Sequence, residues 1–137
     1  MLDKKALAKQ ITTDSYKMMG VVRKTKLRIK EQAQARAAIA VALSKHFNSS
    51  CIGSAIGKDR STISYYKKLH EANLTGWTGY KHKFEAANQI AVSTFRVEDA
   101  KEQLTLLNKQ LSYIRSRRDK LLEILKEDVL AEEHPRE

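Results

Sequence analysis

The sequence predicts an all-α protein: a helix-turn-helix head followed by a long C-terminal helix, either a coiled coil or a helical extension. Three observations predict it. Only five glycines and one proline interrupt 137 residues, and the proline is Pro135, near the end. Strand signals, runs of alternating β-branched residues between turn residues, are nearly absent. Apolar residues recur instead at three- and four-residue spacings.

Helix one is expected over 4–19, with Leu7, Ile11, Tyr16 and Met19 inward and Gly20 ending it. Residues 21–30, VVRKTKLRIK, form a basic connector that can hold a turn of helix. Helix two is expected over 32–47. Its alanines at 33, 35, 37, 38, 40 and 42 let neighbouring helices approach closely, and Ile39, Leu43 and Phe47 supply an apolar stripe. Asn48-Ser49-Ser50 breaks the pattern and offers an N-cap for a short helix over 51–56. Gly57 fits a left-handed C-terminal cap. Asp59 fits an N-cap for a helix over 60–73, with Ile63, Tyr66 and Leu69 inward.

Thr75-Gly76-Trp77-Thr78-Gly79 is the one clear loop. Trp77 and Tyr80 are expected to cap a core where two helices meet; stacking on nucleic acid is the functional alternative. From about 81 to about 130 a helix can run without a breaker. Ile90, Val97, Leu104, Leu111 and Leu125 share one heptad position, and Ala100, Leu107, Ile114 and Leu121 share its partner. Arg118 interrupts the first series; Ser93 and Asp128 interrupt the second. Fifty such residues make a rod of roughly 75 Å at ~1.5 Å per residue. The plainer alternative is an amphipathic helix packed on its own chain. The expected division is a helix-turn-helix domain at 1–80, a long helix for oligomerisation or partner binding at 81–132, and a disordered tail at 133–137.

Charge narrows the partners. The chain carries 26 Lys+Arg and 16 Asp+Glu, and the excess lies in front. Residues 1–83 hold 17 basic and 5 acidic side chains, while 84–137 hold 9 and 11. A basic front half suggests a polyanionic partner. An anionic membrane would also attract it. However, no apolar run reaches the ~18 residues of a membrane span, and no basic helix carries a Trp/Phe/Leu face. Cys51 is the only cysteine, so no disulfide within the chain is possible, and no Cys/His set has zinc spacing. No metal or cofactor is implied. The start of the chain leads into an amphipathic pattern rather than a signal peptide's apolar core, so a cytoplasmic setting is expected, nucleoid-associated or in a viral host.

The run Ser50–Leu69, SCIGSAIGKDRSTISYYKKL, carries a family likeness together with the pieces before it. Its stretch Ile52-Gly53-Ser54-Ala55-Ile56-Gly57-Lys58-Asp59-Arg60-Ser61-Thr62-Ile63 resembles the signature IG-x-x-F-G-G-R-D-H-[ST]-T-V. That signature marks the C-terminal DNA-binding domain of the bacterial replication initiator DnaA, a Trp-repressor-like helical fold. Residues 11–19, the basic loop 22–28 and the Arg-led stretch 36–47 match the family's preceding pieces in order and spacing. The likeness covers roughly 4–92. It implies that Asp59, Arg60 and Ser61 read bases in the major groove, with Thr62 following and Lys58 as the signature's basic residue. It places Arg28 in the minor groove and Arg36 at the opening of the next helix. One glycine is missing after Gly57, and Arg60 replaces the family's histidine. An arginine favours bidentate contact with guanine, worth ~1–3 kcal/mol of discrimination, so the family's DNA box does not carry over. The initiator's ATPase module is absent, with no G-x-x-x-x-G-K-[ST] in the chain.

On the helix from Arg60, the residues Arg60, Ser61, Ser64 and Tyr65 are expected to face outward onto base edges, and Lys67 and Lys68 onto phosphate. The plain reading is that Asp59, Ser61 and Thr62 cap a helix; the two are compatible. Arg23, Lys24, Lys26, Arg28 and Lys30 read as phosphate contacts or as a solvated loop. Cys51 reads as a small buried side chain. His46, His70, His82 and His134 are scattered and pair with no nucleophile in a recognisable order. The expected function is therefore a non-enzymatic double-stranded DNA-binding protein of replication or transcription control, homo-oligomeric through its C-terminal helix. The alternatives are a DNA-packaging recognition subunit resembling viral small terminases, and a structural or assembly protein built on a DNA-binding fold.

Overall fold

A computed structural model of the chain describes residues 3–23 and 29–133. The expected minor-groove arginine, Arg28, its neighbours Lys24 and Lys26, and the chain end with His134 lie outside the described residues. Those described form five helices and no strand: α1 (Lys4–Met19), α2 (Ile29–Leu43), α3 (Ser49–Ile56), α4 (Arg60–Gly76) and α5 (Tyr80–Glu133). The protein is all-α with a long C-terminal helix. It divides into two compact units, Met1–Phe95 and Arg96–Glu137.

Local chemistry sets the helix ends. The Asp3 side chain accepts hydrogen bonds from the Lys5 and Ala6 backbone N–H groups at the start of α1. At its end Gly20 takes the left-handed conformation, and the Val21 N–H reaches back to the Tyr16 carbonyl. Leu7, Ala8, Ile11, Thr12, Ser15 and Tyr16 turn one face inward. The buried hydroxyls of Thr12 and Ser15 donate to the carbonyls one turn back, at 2.8 and 2.7 Å, so neither is left unsatisfied.

Helix α2 is the centre of the first unit. Ten of its residues are buried, six of them in the continuous stretch Ala37–Ala42. Alanine is suited to this place: it costs no side-chain entropy in a helix and lets neighbours approach from several sides. Ile39 and Leu43 are fully buried with Ile11, Ile52 and Ile63 from the surrounding helices. Each such side chain contributes about 1.5–3 kcal/mol of burial. Gln34, also buried, is satisfied at both ends of its amide. It donates to the Thr78 carbonyl at 2.7 Å and accepts from Lys83 Nζ at 2.9 Å, fixing the loop between α4 and α5.

Several boundaries differ from expectation, among them the start of α3, which lies at Ser49 rather than at 51 because Asn48 is its N-cap. Helix α2 starts earlier and stops at Leu43 rather than at 47. The N–H groups of both His46 and Phe47 converge on the Leu43 carbonyl, unwinding the chain so that Phe47 folds back onto the core. Helix α4 continues to Gly76, which shortens the expected loop to Trp77–Gly79. The first unit runs on past 80 to Phe95. Tyr80, Ala87 and Ala91 are fully buried in it, and Phe84, Ile90 and Phe95 pack against its core. The opening turns of α5 therefore complete the core of the first unit, and the expected head at 1–80 lacks them. Trp77 and Tyr80 stack on each other, ring centroids 5.9 Å apart and 8° from parallel, in the core-capping role expected of them.

Candidate nucleic-acid interface

The site is built on α3, a three-residue turn and α4. The Asn48 side chain accepts from the Cys51 N–H at 2.8 Å and starts α3. Gly57 ends it with φ of 76°, a conformation costly for any residue bearing a Cβ. The Gly53 carbonyl accepts from both Gly57 N–H at 2.8 Å and Lys58 N–H at 3.0 Å, closing the turn. Two residues later Asp59 starts α4. One of its carboxylate oxygens accepts from the Thr62 N–H, the Thr62 hydroxyl and the Ser61 hydroxyl, each at 2.9 Å. The Thr62 N–H first, then the two hydroxyls, hold the Asp59 carboxyl below its ordinary pKa.

The side of α4 away from Ile63 is open. Arg60, Ser61, Ser64, Tyr65, Lys67 and Lys68 are all exposed on it, and Lys58 is exposed on the turn before it. Their spacing keeps them within one face of the helix. Ile63 is fully buried, while Thr62, Tyr66, Leu69 and His70 form the half-buried opposite side. Beside Arg60 lies a shallow pocket lined by Asn48, Ser49, Ser50, Arg60 and Ser64. Its lining residues, an asparagine, three serines and an arginine, are of the types that hydrogen-bond a phosphate oxygen. The sequence signal for this pocket was the Asn48-Ser49-Ser50 cap, which was read for its helix and not for its nearness to Arg60.

The expected site residues divide by position. Arg60, Ser64, Tyr65, Lys67 and Lys68 share the open face. Asp59, Ser61 and Thr62 are engaged with one another in the cap. Arg36 is half-buried, its Nε enclosed, and with Arg23 its charge acts to lower the Tyr16 pKa. Arg23, expected on phosphate, lies 5.5 Å over the Tyr16 ring and donates from Nη2 to the Ala55 carbonyl at 2.9 Å. It ties the connector to the end of α3. Cys51 is buried, its sulfur 3.6 Å from the Lys4 carbonyl.

His46 and His70 are packing residues, while His82 is exposed. His46 stacks on Phe95 with ring centroids 4.3 Å apart, and His70 Nδ1 lies 2.7 Å from the Tyr80 hydroxyl. Burial lowers the pKa of both, helped at each by Lys45 and opposed at His70 by Glu71. Burial pushes Tyr80 up to about 12 and raises Tyr16 against the pull of Arg23 and Arg36. The signs follow. Below the ordinary histidine value of 6.5 the unfolded chain takes up more protons at these sites than the folded one, so stability falls with falling pH. Above the ordinary tyrosine value of 10.0 the unfolded chain releases more, so stability falls with rising pH. Melting temperature measured by circular dichroism is expected to be highest between these values. A His46→Gln/His70→Gln variant is expected to lose part of the decline below pH 6.5; an unchanged slope there would assign it to other groups.

Among the described residues no three His, Cys, Asp or Glu side chains converge as a metal-holding group. No described helix is long and apolar enough to cross a membrane. Compared with protein-family models, with curated proteins and with solved structures, the chain matches none.

Proposed function

We propose that this chain is a non-enzymatic protein that binds double-stranded DNA by laying α4 in the major groove. The observation that carries the reading is the open face of α4. Arg60, Ser64 and Tyr65 share it with Lys67 and Lys68, directly beside the donor-lined pocket at the start of α3. The cap formed by Asp59, Ser61 and Thr62 fixes where α4 begins and so fixes the height at which Arg60 emerges. Arg60 is then the base reader, suited to the O6 and N7 acceptors of guanine. The pocket of Asn48, Ser49 and Ser50 takes a flanking phosphate, and Lys67 and Lys68 take phosphates further along. The front-loaded positive charge supplies the sequence-independent part of the affinity. The likeness to the initiator's DNA-binding domain supports the same docking, with a role in replication or transcription control. The second unit gives such a protein a separate surface for assembly.

The test is selection of bound sequences from a random duplex pool at fixed salt, followed by titration of the selected duplex. Arg60→Ala is expected to weaken that duplex by about 5- to 150-fold, from ~1–3 kcal/mol, and to relax preference at one base pair. Lys68→Ala is expected to weaken all duplexes alike and to lower the salt slope by about 1. Binding by Arg60→Ala as tight and as selective as the parent's would overturn the reading.

A further inference from the structure

The second unit carries the longest exposed apolar stripe on the chain. Val97, Leu104, Leu107, Leu111, Ile114 and Leu121 recur at the two inner positions of a heptad and are 43–60 % exposed. A stripe of that length on a single helix calls for a helical neighbour.

The charges beside it identify the kind of neighbour. At the positions that border the stripe from 96 to 117 the charged residues are Arg96, Lys101, Arg115 and Arg117. The remaining bordering positions there are Thr94 before the stretch and Gln103, Asn108 and Gln110 within it, with no acid among them. The acids of this segment, Glu98, Asp99, Glu102, Asp119 and Glu123, all fall on the opposite side of the helix. Among the described residues, Lys101 is the one of the four bordering cations with an acidic partner on its own helix, Glu98 at 3.2 Å. From 96 to 123 there are seven cations and five acids: four cations border the stripe with no acid beside them, Arg118 stands at an inner position, and Lys109 and Lys120 lie on the side that carries the acids.

Bordering residues of paired helices face each other, and their signs choose the partner and its direction. A second copy of this chain would set these cations against a cation, an amide or an apolar residue. In parallel pairing Arg96 meets Lys101; in antiparallel pairing Arg115 and Arg117 meet basic or amide positions. Neither arrangement brings an acid opposite. A helix with its own apolar stripe bordered by Glu or Asp would pair every one of these cations. We infer that Val97–Leu121 is a docking strip for an amphipathic helix with acidic borders on a different protein, and that the expected self-association is not its role. This inference stands on the second unit alone and does not depend on DNA binding by the first.

The probes are two synthetic helical peptides with Leu and Ile at the inner heptad positions. One carries Glu at all bordering positions and the other carries Lys. Titrated against the full chain, the Glu peptide is expected to bind about ten-fold or more tighter than the Lys peptide, with the gap narrowing at high salt. The exposed variant R96E/K101E/R115E/R117E is expected to reverse the preference. The variant L107D/L111D is expected to abolish binding while the melting temperature of the first unit and its duplex binding stay unchanged. Three results would overturn the inference. One is a chain that is already a stable dimer at micromolar concentration and ignores both peptides. Another is equal binding of the two peptides. The third is Glu-peptide binding that survives L107D/L111D, which would place it on the basic first unit.

Discussion

Gly53→Ala is expected to unfold or severely loosen the first unit. Alanine in place of glycine inside a helix ordinarily adds about 1 kcal/mol of stability. Here the added Cβ would overlap the Lys58 carbonyl oxygen and lie 3.5 Å from its carbon, both of them backbone atoms. A flexible side chain could swing away, but the carbonyl of Lys58 sits in the turn closed by the two bonds to the Gly53 carbonyl. Relief requires α3 and α4 to separate. Overpacking of this kind costs ~1–3 kcal/mol when the neighbours can give, and more when they are backbone. The net is a loss of about 2 kcal/mol or more, which lowers the melting temperature by roughly 10 °C or more in a unit of this size. Gly57→Ala provides the contrast. Nothing lies within 4 Å of its added Cβ, so its cost is the left-handed conformation alone, about 1–2 kcal/mol. A melting curve for Gly53→Ala at or above that of Gly57→Ala would sink this account of the turn. If the partly folded variant is soluble, its duplex binding should fall with it, because Arg60 is positioned through the same turn.

The parts of the fold that were legible in the sequence are those written in local chemistry. Asp3, Asn48 and Asp59 cap helices with their own side chains, and Gly20 and Gly57 end helices by taking positive φ. These signals act over three or four residues, so the boundaries of α1 and the junction of α3 with α4 follow from them. The end of α2 does not. Ser44, Lys45 and His46 have no strong aversion to helix, and what stops α2 is the gain from burying Phe47, with Phe95 tilted against it and stacked on His46. The joining of the two units inside α5 was hidden for a related reason. A heptad pattern runs through 90–125, interrupted only at Ser93 and Arg118, yet Ala87 and Ala91 at the root mark close approach to the core rather than a seam. Within the candidate site, the exposed face of α4 was legible from spacing. Arg23 was not: a cation in a basic run gives no sign that its partner is a carbonyl 32 residues away.

Tyr80→Ala is the other change expected to cost most. Tyr80 is the largest fully buried side chain, set against Ala37 and Ala38 of α2 with Trp77 stacked on its ring. Truncation removes the ring from a site walled on one side by the methyls of Ala37 and Ala38. Those cannot lengthen to fill the space, so little of the cavity collapses. Losses for buried aromatic-to-alanine changes run about 3–5 kcal/mol, and this site belongs at the upper end. Such a loss is a large share of the ~5–15 kcal/mol stability of an ordinary domain. Tyr80→Phe separates ring from hydroxyl. It keeps the packing and leaves His70 Nδ1 without its partner at 2.7 Å, a cost of about 1–2 kcal/mol for a half-buried group. Chemical denaturation of the three proteins is expected to rank them parent, Tyr80→Phe, Tyr80→Ala, with the larger step second. The consequence reaches the candidate interface through His70, which lies on α4 and holds it against the root of α5. Tyr80→Phe should therefore leave duplex binding intact, while Tyr80→Ala should weaken it only as far as it unfolds the unit. A Tyr80→Ala protein as stable as Tyr80→Phe would mean that this end of α4 is held by contacts other than the ring.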